Sequence, residues 1–297
     1  PEEIPGLVAL DVVLSVPDLA TARLVNAAAA AIGKRALVHV LIDTGMGRLG
    51  VLAADAADLL ETIATDLPAV EVEGVYSHLP AAEVPDDETF AQIARFSELL
   101  SVLERQGFSF KYRHLANSCA VGVLPPTVRA PYNMVRPGIE LHGAGPDEVE
   151  RCYRTEPVLT LKSRLVSVRE LPAGFTIGYG RTHRLEQAEL VGTVAIGYAD
   201  GYPRSLSNRG TMLVGGQRCP VIGSVCMDYT QISLAAVPDA EAGDEVVVIG
   251  EQGDECVSVN AVAKAAGTIS YEILTHLGPR VERRYVGAVV GEGMIAE

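Results

Sequence analysis

Short hydrophobic runs alternate with longer amphipathic segments through the first half of the chain. The runs predict β-strands over residues 12–16, 36–42, 70–78, 112–116 and 134–141. The amphipathic segments repeat apolar residues at three- and four-residue spacing and predict helices over 18–32, 53–67 and 87–106. Because parallel strands need a crossover between them, this alternation predicts a parallel α/β domain.

Two architectures are compatible with these strands. A closed (β/α)8 barrel of the TIM type has eight strands, so about three βα units, or roughly 90 residues, would be absent from this chain. An open doubly wound sheet can be complete with fewer strands. Functional groups gather where strands end in both folds, so the residues at the strand ends should help to distinguish them.

The pattern changes near Tyr153. Strands separated by glycine-containing turns are predicted over 158–168, 188–196, 211–214, 219–224, 229–233 and 245–249. Short helices are predicted over 259–266 and 269–275. We therefore expect an α/β domain over 1–152 and a β-rich C-terminal domain over 153–297.

Composition excludes several classes of partner. A net charge of −14 leaves no basic surface for phosphodiesters, so nucleic acid is not expected to bind. No apolar run reaches the length of a membrane span, and a small molecule remains the expected ligand. The five cysteines have no metal-type spacing, which favours reduced thiols, a cytoplasmic protein and no metal site.

A G-x-G-x-x-G motif at residues 45–50 directly follows the predicted strand 36–42. In a dinucleotide-binding fold, these glycines would pack against a pyrophosphate. Alternatively, they let the chain turn sharply so that Arg48 points into a pocket. The spacing alone does not separate these two interpretations.

Unusual polar residues mark the ends of the other strands of the first half. His78 ends one predicted strand, Ser118 begins a helix after the next, and Arg136 belongs to the last together with Gly138 and Ile139. The Ser118 hydroxyl and the N–H groups of Gly138 and Ile139 could converge on a phosphate without adding charge.

The second half contains two exposed-tyrosine candidates and a short polar turn. Tyr179 lies between Gly178 and Gly180, which offer it no neighbouring side chains for core packing, so we expect its hydroxyl to be exposed. Tyr198 stands in a second glycine-rich segment, and Met227 with Asp228 in a third.

Together these motifs resemble those of alanine racemases, pyridoxal phosphate enzymes of fold-type III. The motifs are DTGMGRLG at 43–50, SHL at 77–79, ANS at 116–118, NMVRPGI at 133–139, GYG at 178–180, GYADG at 197–201 and CMD at 226–228. The resemblance runs over nearly the whole chain and implies a TIM-type barrel that holds pyridoxal 5'-phosphate. It also implies a C-terminal β-domain that reaches the partner's active site in a homodimer, and it disfavours the dinucleotide interpretation.

The resemblance implies a role for each site residue. Tyr179 matches a catalytic base that exchanges the α-proton. Free tyrosine has a pKa of about 10, so it needs cationic or hydrogen-bonding neighbours to act as a base. His78 and Arg136 match the family residues that fill this need. Arg136 also matches the group beside the cofactor's pyridine nitrogen. The implied phosphate ligands are Ser118, Gly138 and Ile139, with His78 also near the cofactor. The implied substrate-binding residues are Arg48, Tyr198, Met227 and Asp228, the last either in direct contact or fixing a loop.

The chain departs from the family pattern in three places. The family's Schiff-base lysine, which is also the second base, would lie before residue 1, and none of Lys34, Lys111, Lys162 and Lys264 matches it. Residues 1–297 alone are therefore expected to be inactive. Leu41 stands where several members have a modified lysine that braces the arginine matched by Arg48. Pro279 stands where some members have a tyrosine.

The leading functional hypothesis is an alanine racemase that interconverts L- and D-alanine by two-base proton exchange and supplies D-alanine for cell-wall precursors. One alternative is a fold-type III amino acid decarboxylase. Another is a noncatalytic fragment that binds pyridoxal phosphate or dimerises.

Overall fold

A computed structural model describes residues 1–145 and 152–287. The chain forms two compact units, Pro1–Glu156 and Pro157–Glu297. In the first unit the strands are β1 Leu14–Val16, β2 Ala36–Asp43, β3 Val51–Leu52, β4 Val70–Tyr76, β5 Tyr112–Asn117 and β6 Met134–Arg136. Its helices are α1 Ile4–Ala9, α2 Leu19–Ala31, α3 Ala56–Asp66, α4 Asp87–Arg105 and α5 Ser118–Val123.

The strands of the first unit form one parallel sheet. Its order is β1-β2-β4-β5-β6, with the short β3 paired to the end of β2. Each main strand therefore lies beside its neighbour in the sequence, as in a barrel, and the described strands show no reversal of order as in a doubly wound sheet. The parallel α/β prediction is confirmed.

The last predicted strand of this unit, 134–141, is wrong in its second half. The strand β6 ends at Arg136, because Pro137 has no N–H for the sheet ladder and Gly138 takes a non-extended conformation with φ −125° and ψ −85°. A 3-10 turn, Ile139–His142, follows. The break brings the N–H groups at Gly138 and Ile139 to the carboxyl end of the sheet, and the first N–H groups of such a turn are not used inside it.

The two faces of the parallel sheet differ in polarity. On β2, Val38, Val40 and Ile42 are fully buried under the helices, where each apolar side chain contributes about 1.5–3 kcal/mol. Side chains alternate along a strand, so His39 and Leu41 lie on the opposite face. That inner face carries most of the polar groups described below.

The second unit is built on antiparallel strands. They are β7 Leu161–Leu171, β8 Thr176–Ile177, β9 His183–Arg184, β10 Glu189–Val194, β11 Thr211–Val214, β12 Gln217–Pro220, β13 Thr230–Ser233, β14 Glu245–Gln252 and β15 Glu255–Val257. The order of the main sheet is β12-β11-β14-β7-β10-β13, with β15 beside β14, whereas β8 and β9 form a separate pair. Helices α6 Val259–Ala266 and α7 Ser270–His276 follow.

One strand predicted in this unit, 219–224, is displaced. The hairpin of β11 and β12 turns at Gly215 and Gly216, which both have positive φ, so β12 begins earlier and ends at Pro220. Residues after Pro220 turn away at Gly223, whose φ is +79°.

The five cysteines are all free thiols. Among the described residues, no helix combines the length and the hydropathy needed to cross a membrane.

Candidate functional site

Polar side chains meet at the carboxyl ends of the parallel strands. Thr44 follows β2 and Ser77 follows β4, and their hydroxyl oxygens lie 2.7 Å apart, both buried. Arg136 ends β6, and its guanidinium reaches back to the carbonyl oxygen of Ser77 at 2.7 Å. Because parallel strands end at one edge, residues distant in sequence come together here.

Arg136 is the central cation of this cluster. One terminal nitrogen donates to the carbonyls of Ser77 and Leu115, at 2.7 and 3.3 Å, and the other donates to His114 Nδ1 at 2.5 Å. The guanidinium carbon lies 4.9 Å from the centre of the Tyr76 ring. Burial lowers the pKa of Arg136, but an arginine remains charged at neutral pH. These contacts fix the plane of the guanidinium.

His78 is a neutral member of the cluster. Its Nδ1 lies 3.3 Å from an Arg136 nitrogen, which can only donate, so Nδ1 is the acceptor and Nε2 carries the proton. Burial, followed by the charges of Arg136 and Arg48, lowers the pKa of His78. His78 is therefore a hydrogen-bonding group and not a cation at neutral pH.

The burial of His114 should make the free energy of unfolding depend on pH. Burial, Arg136 and His39 lower the pKa of His114 to about 3, so between pH 6.5 and 5 only the unfolded chain takes up a proton at this position. The free energy of unfolding should fall over that interval by about 2 kcal/mol from this histidine. We expect urea unfolding of the full-length His114→Gln variant to show a smaller loss between pH 7 and 5. Exposed His142→Gln is the control, and equal slopes in all three proteins would contradict this assignment.

Ser118 and Gly138, which the sequence predicts to belong to a phosphate site, contact each other. The N–H of Gly138 donates to the Ser118 hydroxyl oxygen at 2.7 Å, which leaves the hydroxyl hydrogen to donate elsewhere. A Cβ at Gly138 would point toward this oxygen at 3.7 Å. Ser118 and Ile139 are both buried.

The G-x-G-x-x-G segment forms a turn around a carboxylate. The side chain of Asp43 accepts the N–H groups of Gly45 and Met46 at 2.8 Å each and that of Gly47 at 3.0 Å. Strand β3 follows at Val51, whereas a dinucleotide fingerprint opens a helix at this point. The glycines therefore shape the segment that carries Arg48, which is exposed.

Leu41 lies behind this turn as a packing residue. It is 8% exposed, and its Cγ would be 2.9 Å from a Cβ at Gly50. The contact explains why Gly50 is needed there, with a φ of +119°. A buried leucine supplies no charge to brace Arg48.

Tyr179 occupies a tight turn in the second unit. Gly178 and Gly180 flank it with φ of +66° and +75°, and the Ser224 hydroxyl donates to the Tyr179 carbonyl at 2.8 Å. The tyrosine side chain is 75% exposed. The turn thus holds the backbone and leaves the phenol unburied.

Tyr198, Met227 and Asp228 lie on two segments in close contact. A Cβ at Gly197 would be 2.3 Å from the carbonyl oxygens of Cys226 and Met227, so only glycine allows this approach. Tyr198 N–H donates to the Cys226 carbonyl at 3.0 Å. Tyr198 and Met227 are both substantially exposed.

Arg280 joins these two segments. Its guanidinium lies 2.7 Å from Asp228 and 3.3 Å from Asp200, which itself accepts the Gly197 N–H at 3.0 Å. Asp228 is therefore ion-paired within these two segments. We call this set, Asp200, Asp228 and Arg280, the arginine clamp.

The candidate residues thus form two groups, one in each unit. Arg48, His78, Ser118, Arg136, Gly138 and Ile139 belong to the first, and Tyr179, Tyr198, Met227 and Asp228 to the second. The motifs did not reveal His39, Glu73 or His114 on the inner face of the sheet. Strands of a parallel sheet are usually hydrophobic on both faces, so polar residues at alternate positions of β2, β4 and β5 are the signal that could have identified them.

The lysines lie away from the carboxyl ends of the strands. Lys34 precedes β2 and pairs with Asp11 at 2.7 Å, and Lys111 precedes β5 and pairs with Glu73 at 2.7 Å. Lys162 pairs with a carboxylate of the second sheet, and Lys264 is in α6. In residues 1–145 and 152–287, no group of three or more histidine, cysteine, aspartate or glutamate side chains is arranged to hold a metal ion.

Parallel strands with polar groups at their carboxyl ends, followed by an antiparallel domain, define a barrel enzyme with an appended β-domain. The family models "Alanine racemase, N-terminal domain" and "Alanine racemase, C-terminal domain" match residues 1–146 and 158–285. The chain therefore belongs to the alanine racemase family.

Individual relatives agree with this assignment. An alanine racemase of Carboxydothermus hydrogenoformans is 42% identical over 257 residues, which cover 85% of this chain and 68% of that protein. One of Halothermothrix orenii is 36% identical over 293 residues, 98% of this chain and 76% of that protein.

Solved structures agree as well. The alanine racemase of a D-cycloserine-producing Streptomyces lavendulae superposes with a TM-score of 0.89 at 34% identity, covering 96% of this chain and 75% of that one. That of Streptomyces coelicolor A3(2) gives a TM-score of 0.88 at 33% identity, with coverage of 96% and 75%. The predicted TIM-type barrel with a β-rich C-terminal domain is confirmed, and the doubly wound alternative is wrong.

Proposed function

We propose that this protein interconverts L- and D-alanine with pyridoxal 5'-phosphate as its cofactor. One observation carries the proposal beyond family membership: Arg136, held by carbonyls and His114, lies at the same strand ends as the Ser118–Gly138 pair. A fixed cation and a neutral anion cradle at one edge match the two polar ends of this cofactor.

The residues present fit the cofactor chemically. Ser118 offers its hydroxyl hydrogen and Ile139 its backbone N–H to a phosphate, and these donors attract an anion without requiring a counter-charge. The N–H of Gly138 would act indirectly, by holding the Ser118 oxygen in place. Arg136 would hold the pyridine nitrogen. One terminal nitrogen contacts two carbonyls and His78 Nδ1, and the other contacts His114, but none of these contacts uses the Nε–H of the guanidinium, so a donor remains.

Pyridoxal phosphate, when bound, withdraws electrons from an amino acid and acidifies its α-proton. Arg136 does not give up its proton, so it would keep the neighbouring nitrogen unprotonated and moderate this effect. Moderation would favour return of the proton over competing reactions of the substrate. Neutral His78 would add a hydrogen bond near the cofactor.

Tyr179 would exchange the α-proton on one face of the substrate. Its exposed side chain leaves the hydroxyl available to a second subunit, which supports a homodimer in which Tyr179, Tyr198 and Met227 complete the partner's site. Arg48 would attract the substrate carboxylate from the rim, and Asp228 would act through the arginine clamp. The four lysines described above do not reach the strand ends, so only one of the two bases is assigned to this chain.

The test is an enantiomer-resolved assay of the full-length protein with pyridoxal phosphate. We expect L-alanine to yield D-alanine, and the reverse, with no release of carbon dioxide. Carbon dioxide release without racemisation would favour the decarboxylase alternative. Cofactor binding without either activity, in a protein that retains its Schiff-base lysine, would favour the noncatalytic one. A separate assay of residues 1–297 is expected to detect no racemisation.

The arginine clamp should affect substrate binding more than chemistry. In Arg280→Ala the segments that carry Tyr198 and Met227 lose their common ion pair, so we expect KM for alanine to rise several-fold while kcat changes less. Arg284→Ala is a matched control, because Arg284 is more exposed and its ion pair among the described residues is with Glu282. An unchanged KM in Arg280→Ala would exclude a role for the clamp in substrate binding.

A further inference from the structure

A line of polar side chains crosses the inner face of the parallel sheet. It begins at Arg136, which donates to His114 Nδ1 at 2.5 Å, and continues from His114 Nε2 to His39 Nδ1 at 2.7 Å. His39 Nε2 lies 3.5 Å from Glu73 Oε2, and Glu73 Oε1 accepts from Lys111 Nζ at 2.7 Å. The line joins the carboxyl end of the sheet, where Arg136 lies, to the amino end, where Lys111 precedes β5. We call Arg136, His114, His39 and Glu73 the donor chain.

Hydrogen-bond chemistry gives the donor chain one direction. Arginine can only donate, so His114 Nδ1 must accept and His114 Nε2 must carry the proton. That proton points at His39 Nδ1, which must then accept, so His39 carries its own proton on Nε2. The carboxylate of Glu73 can only accept, and it lies 3.5 Å from this nitrogen, at ion-pair distance; His39 Nε2 has no hydrogen-bond partner among the described residues. Arg136 and His114 therefore donate in the direction of Glu73, and the His39 N–H is left beside its carboxylate across this longer gap.

The sheet is shaped to hold the His39 ring in this line. A Cβ at Gly74 would come within 2.9 Å of three ring atoms of His39, so a glycine makes room for the imidazole. The pairing of β2 and β4 shifts register between Val38 and His39, next to this glycine. His114 is clamped from the other side, because the Tyr76 ring stacks on it at 4.8 Å with an angle of 5° between the planes.

Burial and charge keep both histidines neutral at neutral pH. Desolvation is the largest influence on each; it lowers the pKa of His39 and, together with Arg136, brings that of His114 to about 3. Glu73 stays ionised because Lys111 lowers its pKa. The Glu73 side chain is 10% exposed and that of His39 is 12% exposed, so water competes little for these contacts. The chain thus ends on a carboxylate that cannot supply a proton.

We propose that Glu73 and His39 are positioning residues that act through His114 to fix the orientation of Arg136. The proposal rests on the proposed function, in which Arg136 contacts the cofactor. The Glu73 carboxylate favours a proton on His39 Nε2; without it, the tautomer with the proton on Nδ1, which opposes the Nε2 proton of His114, becomes more accessible. To relieve that clash, His114 would have to carry its proton on Nδ1, where it faces the N–H of Arg136. The wrong tautomer of His39 would thus disturb the hydrogen bond that orients the guanidinium.

The first test measures protons and does not depend on activity. Nitrogen-15 NMR of the full-length protein labelled at histidine distinguishes a protonated from an unprotonated ring nitrogen. We expect both His39 and His114 to be neutral with the proton on Nε2 at pH 7. A proton on Nδ1 of either ring would overturn the proposal.

The second test uses variants of Glu73. In Glu73→Leu the acceptor is lost, and we expect the NMR signature of both histidines to change and kcat for racemisation to fall about tenfold with KM nearly unchanged. Glu73→Gln keeps an acceptor oxygen and should restore both the tautomers and kcat. Glu71→Leu is the matched control, because Glu71 is on the same strand but is exposed and pairs with Arg35 at the surface.

The outcomes separate this proposal from the proposed function. If both histidines have the predicted tautomers but the protein racemises no amino acid, the proposed function is refuted and the donor chain has no role in catalysis. Racemisation with wild-type kcat in a folded Glu73→Leu protein would instead refute the positioning role. If Glu73→Leu does not fold, Gly74→Ala provides the second variant, since its methyl group displaces the His39 ring and should lower kcat in the same way.

Discussion

Replacing Tyr179 by phenylalanine is expected to lower kcat/KM for alanine racemisation by about 10³-fold, the contribution typical of a positioned proton-transfer group. The substitution removes only the hydroxyl. Because the Tyr179 side chain is 75% exposed and the turn is held through its carbonyl by Ser224, the variant should keep the wild-type fold and unfolding midpoint. Initial rates from L- and D-alanine, with thermal unfolding, measure both effects.

Isotope exchange should show that the loss is confined to one face of the substrate. If Tyr179 serves a single enantiomer, the variant in heavy water should lose α-proton exchange from that enantiomer far more than from the other. Tyr229→Phe is the control, because Tyr229 is an exposed tyrosine close to Met227 that has no assigned role. Equal loss of exchange from both enantiomers, or none from either, would refute the assignment of Tyr179 as one of two bases.

Local patterns predicted the elements of this fold well and their ends less well. The period of the apolar residues identified α2, α3 and α4, and Asp18 caps α2 by accepting the Thr21 N–H. The strand predicted over 134–141 was too long, since periodicity overlooked what Pro137 and Gly138 do to a sheet. The early helix α1 and the short strands β3, β8, β9 and β15 were missed, because so few residues contain too little pattern.

In the candidate site, too, the sequence predicted what short motifs contain and did not predict which distant residues meet. The motifs marked Arg136, Ser118 and Gly138, but no motif describes what surrounds them. His39 and His114 are 75 positions apart in the chain and meet only because β2, β4 and β5 lie side by side. The tautomer of a histidine depends on such partners. It therefore follows from the three-dimensional structure and not from the neighbouring sequence.

Arg136 offers the second large effect, because its removal changes the cofactor site and the charge of its neighbours together. Arg136→Gln leaves carbonyls of Ser77 and Leu115 without their donor, and we expect the free energy of unfolding to fall by about 2 kcal/mol. We expect kcat to fall by at least about 100-fold, as when a charge-stabilising donor is lost. Urea unfolding and steady-state kinetics of the full-length protein measure these changes.

The same variant should shift two histidine titrations upward. The charge of Arg136 contributes to the lowered pKa of both His78 and His114, so its removal should raise both pKa values, whereas burial continues to hold them below that of a free histidine. Arg113→Gln is the matched control, because Arg113 is on β5 next to His114 but donates to the carbonyls of Pro131 and Phe110. Unshifted titrations in Arg136→Gln would mean that the guanidinium does not control these imidazoles. The lost kcat would then reflect its contact with the cofactor alone.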